Sequence, residues 1–208
     1  TFWRPLLSLF PENILRAGKG LSAALSLKLV LVFSIFGAEA FIPLVLTDHY
    51  KYTEAAAGLV LTSGVLSWTL ATWMYDKVGV RFSDKTLLVI GSSLVCAGVF
   101  LLWLFLSFFQ WAAMSYVVWS VAAFGMGLAY PMAMNLAMAN TEGGQEGRTS
   151  TAAGVVDALG FSLAAGIGGA ILNVGDRMGY SVYYAMNGVW LVMALVSIVA
   201  LYISVRRY

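Results

Sequence analysis

A chain of 208 residues in which 61% are hydrophobic and only 11% charged cannot cover itself with a water-facing surface, because soluble domains carry about 25% charged residues. Twelve basic and ten acidic side chains leave a formal charge of +2; no nucleic-acid partner is expected, and the placement of the charges says more than their sum. The one cysteine, Cys96, excludes an internal disulfide and any cysteine metal cluster; lying in an apolar run, it reads as a packed thiol.

Residues 1–21 mix aromatics with Arg4, Arg16 and Lys19, while Pro5 and Pro11 break any long helix. This segment reads as a basic, amphipathic connector on the cytoplasmic membrane surface. The sequence has no initiator Met, and Thr1-Phe2-Trp3 does not resemble a signal-peptide start, so the chain reads as part of something longer. Six apolar runs follow at about 22–47, 55–75, 86–109, 111–140, 149–173 and 181–205, with a cytoplasmic tail at 206–208. Each run reaches the ~20 residues that cross a ~30 Å hydrocarbon core. The expected fold is therefore an all-α membrane protein with six transmembrane helices and the lipid bilayer as its surroundings. The first run carries Lys28 and Glu39, the fifth carries Asp157, and the second, third and sixth are uncharged. The fourth is long enough to tilt or to project from the bilayer.

The stretch 125–160 shows the pattern most clearly. An uncharged segment, GMGLAYPMAMNLAMAN, meets a short polar turn, TEGGQEGR, and then a second apolar segment, TSTAAGVVDALG. That order is a transmembrane helical hairpin. The carboxylate inside its second arm is costly in hydrocarbon and is expected to face protein or a wet cavity.

Orientation follows from the basic residues of the short loops. With the connector in the cytoplasm, that side collects Arg4, Arg16, Lys19, Lys77, Arg81, Lys85, Arg148, Arg206 and Arg207, against Lys51 and Arg177 outside. Both termini are expected inside, in the plasma (inner) membrane. Trp73, Tyr75, Trp111, Tyr116, Tyr180, Tyr183 and Tyr184 stand near the ends of runs, where aromatic rings favour the headgroup level.

Glu39 and Asp157 are the acids inside spans, and such residues mark functional sites by default. Glu39 lies deep in the outer half of the first span. Asp157 lies about eight residues, hence ~12 Å, in from the inner surface. Tyr130 and Asn135 on the fourth span offer a hydroxyl and an amide to a substrate, or to a neighbouring helix. Lys28 is expected to snorkel to the inner interface. Pro43 and Pro131 can break or bend their helices, and His49, in an outer turn, reads as an ordinary solvated residue. Asp76, Lys77, Gly79 and Arg81, in the loop after the second span, form a charge cluster able to latch neighbouring helices, or a plain positive-inside loop.

That loop resembles the second-half copy of the signature G-x-x-x-D-R-x-G-R-R of the major facilitator superfamily. Asp76, Lys77, Gly79 and Arg81 stand for its D, R, G and a basic residue, while Thr72 and Val80 depart from it. Gly37-Ala38-Glu39-Ala40-Phe41-Ile42-Pro43-Leu44 resembles the seventh helix of drug-exporter-like members. Gly125-Met126-Gly127-Leu128-Ala129-Tyr130-Pro131, with Glu146-Gly147-Arg148 and Asp157 downstream, is similar to them too. The resemblance covers about residues 22–205, the whole C-terminal six-helix half. It implies a 3+3 inverted repeat in which helices one and four line a central cavity, two and five face the other half, and three and six face lipid. Gly154, Ala158, Ala165, Gly166, Gly168 and Gly169 in the fifth span suit close helix approach.

The function implied is the C-terminal half of a proton-coupled exporter of small, lipophilic or cationic compounds, working by alternating access. The resemblance also implies a partner N-terminal six-helix half, a small-molecule substrate and no cofactor beyond the coupling proton. Desolvation disfavours the charged form of a carboxylate, which makes Glu39 the first choice for the proton site and Asp157 the second. A non-transporting six-helix assembly subunit is the alternative. An enzyme is not expected: Gly160-Phe161-Ser162-Leu163 superficially resembles an intramembrane serine protease site, but the only histidine, His49, lies upstream in an outer turn.

The orientation is directly measurable. With Cys96→Ala as background, a single cysteine at Lys51 should react with an impermeant thiol reagent from outside, and one at Gly144 should not. Labelling of the Gly144 position alone would reverse the topology.

Overall fold

The computed structural model describes residues 20–78 and 82–207. Among them every regular element is helical and there is no strand. α1 (Leu21–Glu39) and α2 (Ile42–Asp48) together make the first span; α3 is Glu54–Val78, α4 Asp84–Leu104, α5 Met114–Ala139, α6 Glu146–Arg177 and α7 Val182–Arg207. Counting α1 and α2 as one, six helical stretches are long and apolar enough to cross a membrane.

Local chemistry accounts for several boundaries. Pro43 has no N–H to donate to the carbonyl four residues earlier, that of Glu39, and its ring crowds the same group. α1 accordingly stops at Glu39, and α2 restarts with Pro43 in its first turn, where a missing N–H does no harm. Pro131, by contrast, stays inside α5, as prolines do where neighbouring helices hold the chain. Ser83 caps α4 by accepting the Thr86 N–H at 3.2 Å. The 32 residues of α6 run beyond the expected 149–173 at both ends, because Glu146 in the first turn and Arg177 in the last each complement the helix dipole.

The C-terminal end of α4 widens into a π-helical turn, Phe105–Phe109, closed by Gln110 with φ 52°. Carbonyls at a helix end need donors from elsewhere. Here tyrosines supply them: Tyr50 donates its hydroxyl to the Leu106 carbonyl, and Tyr183 donates to the Ser107 carbonyl at 2.7 Å. Burial, reinforced by Tyr183 and Tyr52, pushes the Tyr50 hydroxyl up to about 12, so it remains a donor at physiological pH. His49 is exposed as expected, but it also stacks on Tyr183 with ring centroids 4.0 Å apart.

The helix pairings repeat themselves. α3 packs on α5 as α6 packs on α1, α4 packs on α5 as α7 packs on α1, and α1–α5 and α4–α7 are their own counterparts; the packing of α6 on α7 has no equally extensive counterpart between α3 and α4. Exchanging the first three spans for the last three maps the matched pairings onto one another. With three spans per unit, the second unit enters from the opposite side, which is the inverted-repeat arrangement. α5 is the most deeply packed span, and α3 and α6 leave most of their length uncovered.

The backbones of α4 and α5 meet directly at glycines. A Cβ on Gly98 would stand 2.5 Å from the Ala122 backbone nitrogen, and one on Gly125 would stand 2.5 Å from the Gly91 carbonyl oxygen. Absence of side chains lets the two backbones meet, which is how helices gain contact in hydrocarbon. Gly98→Val should therefore destabilise the purified protein by about 1–3 kcal/mol or more through overpacking. Gly147→Ala, with nothing within 4 Å of the added carbon, should be neutral or slightly stabilising on helix propensity. Thermal unfolding of both variants decides the point; equal effects would show that the contact is loose.

Candidate functional site

Three helices bring ionisable side chains together in the half of the bundle that holds the N-terminal ends of α1 and α6. Lys28 of α1 lies about 10 Å along its helix from Leu21, and Asp157 of α6 about 16 Å from Glu146, on a 1.5 Å rise per residue. The Lys28 ammonium donates to both oxygens of the Asp157 carboxylate and to the Tyr130 hydroxyl of α5 at 2.7 Å. Tyr130 in turn donates its hydroxyl to Asp157 Oδ2 at 2.7 Å, and the ammonium stands 4.0 Å from the centre of its ring. The carboxylate, the hydroxyl and the π face all favour the same positive charge.

Small residues put these groups in register. Gly160 is one turn beyond Asp157, and a Cβ there would lie 3.1 Å from the Leu29 carbonyl oxygen. α6 therefore approaches α1 closely one residue past Lys28. Val156, Ala153 and Ala152 pack with Leu25 and Ala24 just below. The pair is unequally buried. The Lys28 side chain is 3% exposed and that of Asp157 32%.

The expectation that Lys28 snorkels to the interface is corrected by this geometry. Its position faces α5 and α6 rather than lipid, and a carboxylate within reach satisfies the ammonium better than a stretch to the headgroups. A signal was present in the sequence. Lys28 and Glu39 are eleven residues apart, about three turns, so they share a face of one helix.

Glu39 stands higher on that face, in a different setting. Among the described residues its carboxylate has no hydrogen-bond or ion-pair partner. It lies half-buried on the wall of a cleft of about 290 Å³ between α1, α3 and α5, lined also by Ile35, Phe36, Trp68, Thr69 and Trp119. Gly64 in α3 leaves the room that the Trp119 indole fills. Trp68 joins the two regions: its ring centroid is 6.3 Å from that of Phe36 and 5.9 Å from that of Tyr130. Phe161 of α6 meets Phe36 edge-on at 6.1 Å. Phe36, Trp68 and Phe161 are functional candidates that the sequence did not single out, because aromatic residues are common throughout the spans.

The remaining expected residues are more dispersed. The Asn135 amide donates to the Tyr75 hydroxyl at 3.3 Å on an exposed face. It is a helix–helix contact between α5 and α3, separate from Tyr130. Asp76 and Lys77 occupy the last turn of α3, with the Lys77 ammonium 5.9 Å from the Trp73 ring centre. Gly79 and Arg81 lie outside the described residues. Gly168 in α6 seats the Phe41 ring, whereas a Cβ added at Gly154, Gly166 or Gly169 would meet nothing within 4 Å, so these three line an open face. No group of His, Cys, Asp or Glu among the described residues is arranged to hold a metal.

The family model of the Major Facilitator Superfamily matches residues 24–208. No curated protein matches the chain.

The unequal burial predicts unequal costs. Asp157→Ala leaves a buried ammonium without its counter-charge and should cost about 3–5 kcal/mol. Lys28→Met leaves a carboxylate that is already 32% exposed and should cost clearly less. The double variant Lys28→Met/Asp157→Leu should recover much of the loss. Unfolding of the three variants in detergent tests this, and equal, strictly additive costs would refute the pairing.

Proposed function

Since the chain belongs to the Major Facilitator Superfamily of transporters, we propose that it is one six-helix half of a proton-coupled exporter that moves small lipophilic cations by alternating access. The observation that carries this reading is Glu39: a carboxylate without a protein partner among the described residues, on an aromatic-walled cleft, whereas the second acid, Asp157, is neutralised by the protein itself. The ionised carboxylate, with Trp68 and Phe36 faces nearby, attracts an organic cation. Its neutral form does not. Proton and substrate then compete for one charge, so uptake of a proton from outside drives release of the cation there. The break after Glu39 suits such a site, because irregular backbone at membrane depth is tolerated where it lines a cavity.

The cleft of about 290 Å³ is at the small end for a ligand site, and the other six-helix half would supply its remaining wall. The open face of α6, with Gly154, Ala158, Ser162 and Gly166 at four-residue spacing and exposed, supports docking of that half by close helix approach. In this reading both ends of the chain are cytoplasmic, in the plasma membrane, supported by the nine basic residues against two.

Glu39→Gln in the full-length protein keeps the shape of the side chain and removes its charge. Proton-driven efflux of a lipophilic cation should be lost, with the membrane level of the protein unchanged. Efflux against a gradient at the normal rate would make Glu39 a structural residue and end this reading.

A further inference from the structure

The triad of Lys28, Tyr130 and Asp157 is not used by the Glu39 cycle, and its asymmetry has a chemical consequence. A buried ammonium must keep an anion beside it, because an isolated charge in a low-dielectric interior is costly. Lys28, 3% exposed, is the partner that cannot leave. Asp157, 32% exposed, is the partner that the packing of this chain leaves open to a proton. If Asp157 takes up a proton, its charge no longer balances Lys28, and the Tyr130 hydroxyl no longer has a carboxylate to bond. What remains is a seat shaped by a carboxylate: an ammonium that bonded both its oxygens, and a hydroxyl that bonded one.

We infer that Lys28 and Tyr130 form a proton-linked binding site for a small monocarboxylate, or for the carboxylate of a larger compound, which Asp157 occupies as a tethered stand-in. The charge balance is simple. Asp157 gains one proton from water, one carboxylate anion takes its place on Lys28 and Tyr130, and the site remains neutral overall. Release of the anion returns the proton and restores the internal pair. No other charge on the helices packed against α6 interferes, among the described residues. α1 brings Lys28 to Asp157 and carries Glu39 about 16 Å farther along, and α5 brings Tyr130. α7 has its ionisable residues, Tyr183, Tyr184, Tyr202, Arg206 and Arg207, towards its two ends. The site is distinct from the Glu39 cleft and of opposite charge preference.

Removing the stand-in tests the inference by chemical rescue in the purified full-length protein. Asp157→Ala should lower the melting temperature, and added formate or acetate should restore most of the loss, whereas chloride at equal ionic strength should not. In the Lys28→Met/Asp157→Ala double variant, acetate should have no effect. A response to acetate that persists in the double variant, or one matched by chloride, overturns the site. Where Asp157→Ala fails to fold, the wild-type protein decides. Acetate binding should take up one proton per anion, so affinity should rise about tenfold for each pH unit lowered while Asp157 is ionised in the free protein. Absence of acetate binding, or binding without proton uptake, overturns it equally.

Discussion

A lysine enclosed by three helices must be given an anion, and the part of the bundle around it is arranged to supply it. Gly160 admits the backbone of α1, α6 comes close enough to set Asp157 against Lys28, and Tyr130 closes the group from α5. In hydrocarbon there is little hydrophobic force between helices, so polar contacts of this kind and tight backbone packing carry the association. The bundle uses both: the charged group joins α1, α5 and α6, and glycine contacts join α4 to α5.

The same helix face carries two acidic environments at two depths. At the level nearer the start of α1, Asp157 is neutralised by the chain's own ammonium. About 16 Å farther along, Glu39 is left without a partner among the described residues, at the point where Pro43 stops the helix. Trp68 and Phe36 stand between them. An acid already paired resists ionic change until its partner is otherwise satisfied. An unpaired one on a cleft keeps its charge uncompensated among the described residues. The two carboxylates thus differ in their electrostatic surroundings.

The pairing pattern of the spans ties these sites to the repeat. α1 and α5 are equivalent under exchange of the two three-helix units, and they supply Glu39 and Lys28 on one side and Tyr130 and Trp119 on the other. The helices equivalent as second members, α3 and α6, supply Trp68 and Asp157 and remain the most uncovered. The cleft and the charged triad therefore share α1 and α5, with α3 completing the first and α6 the second.

Much was decided by the sequence alone. Span number and class follow from apolar runs of bilayer length separated by charged turns, because hydrocarbon admits only helices with satisfied backbones. The acids at Glu39 and Asp157 were visible as the only carboxylates inside spans, and so was the capacity of Pro43 to end a helix. The roles of the two acids were not visible. Lys28 lies 129 residues from Asp157 and 102 from Tyr130, and nothing local records which helix will face it. Read along its own segment, Lys28 is a lysine near a membrane surface, where its long side chain favours water. Only the close approach of α1, α5 and α6 removes that water and leaves Asp157 as the available anion, turning an interfacial residue into the charged centre of the bundle.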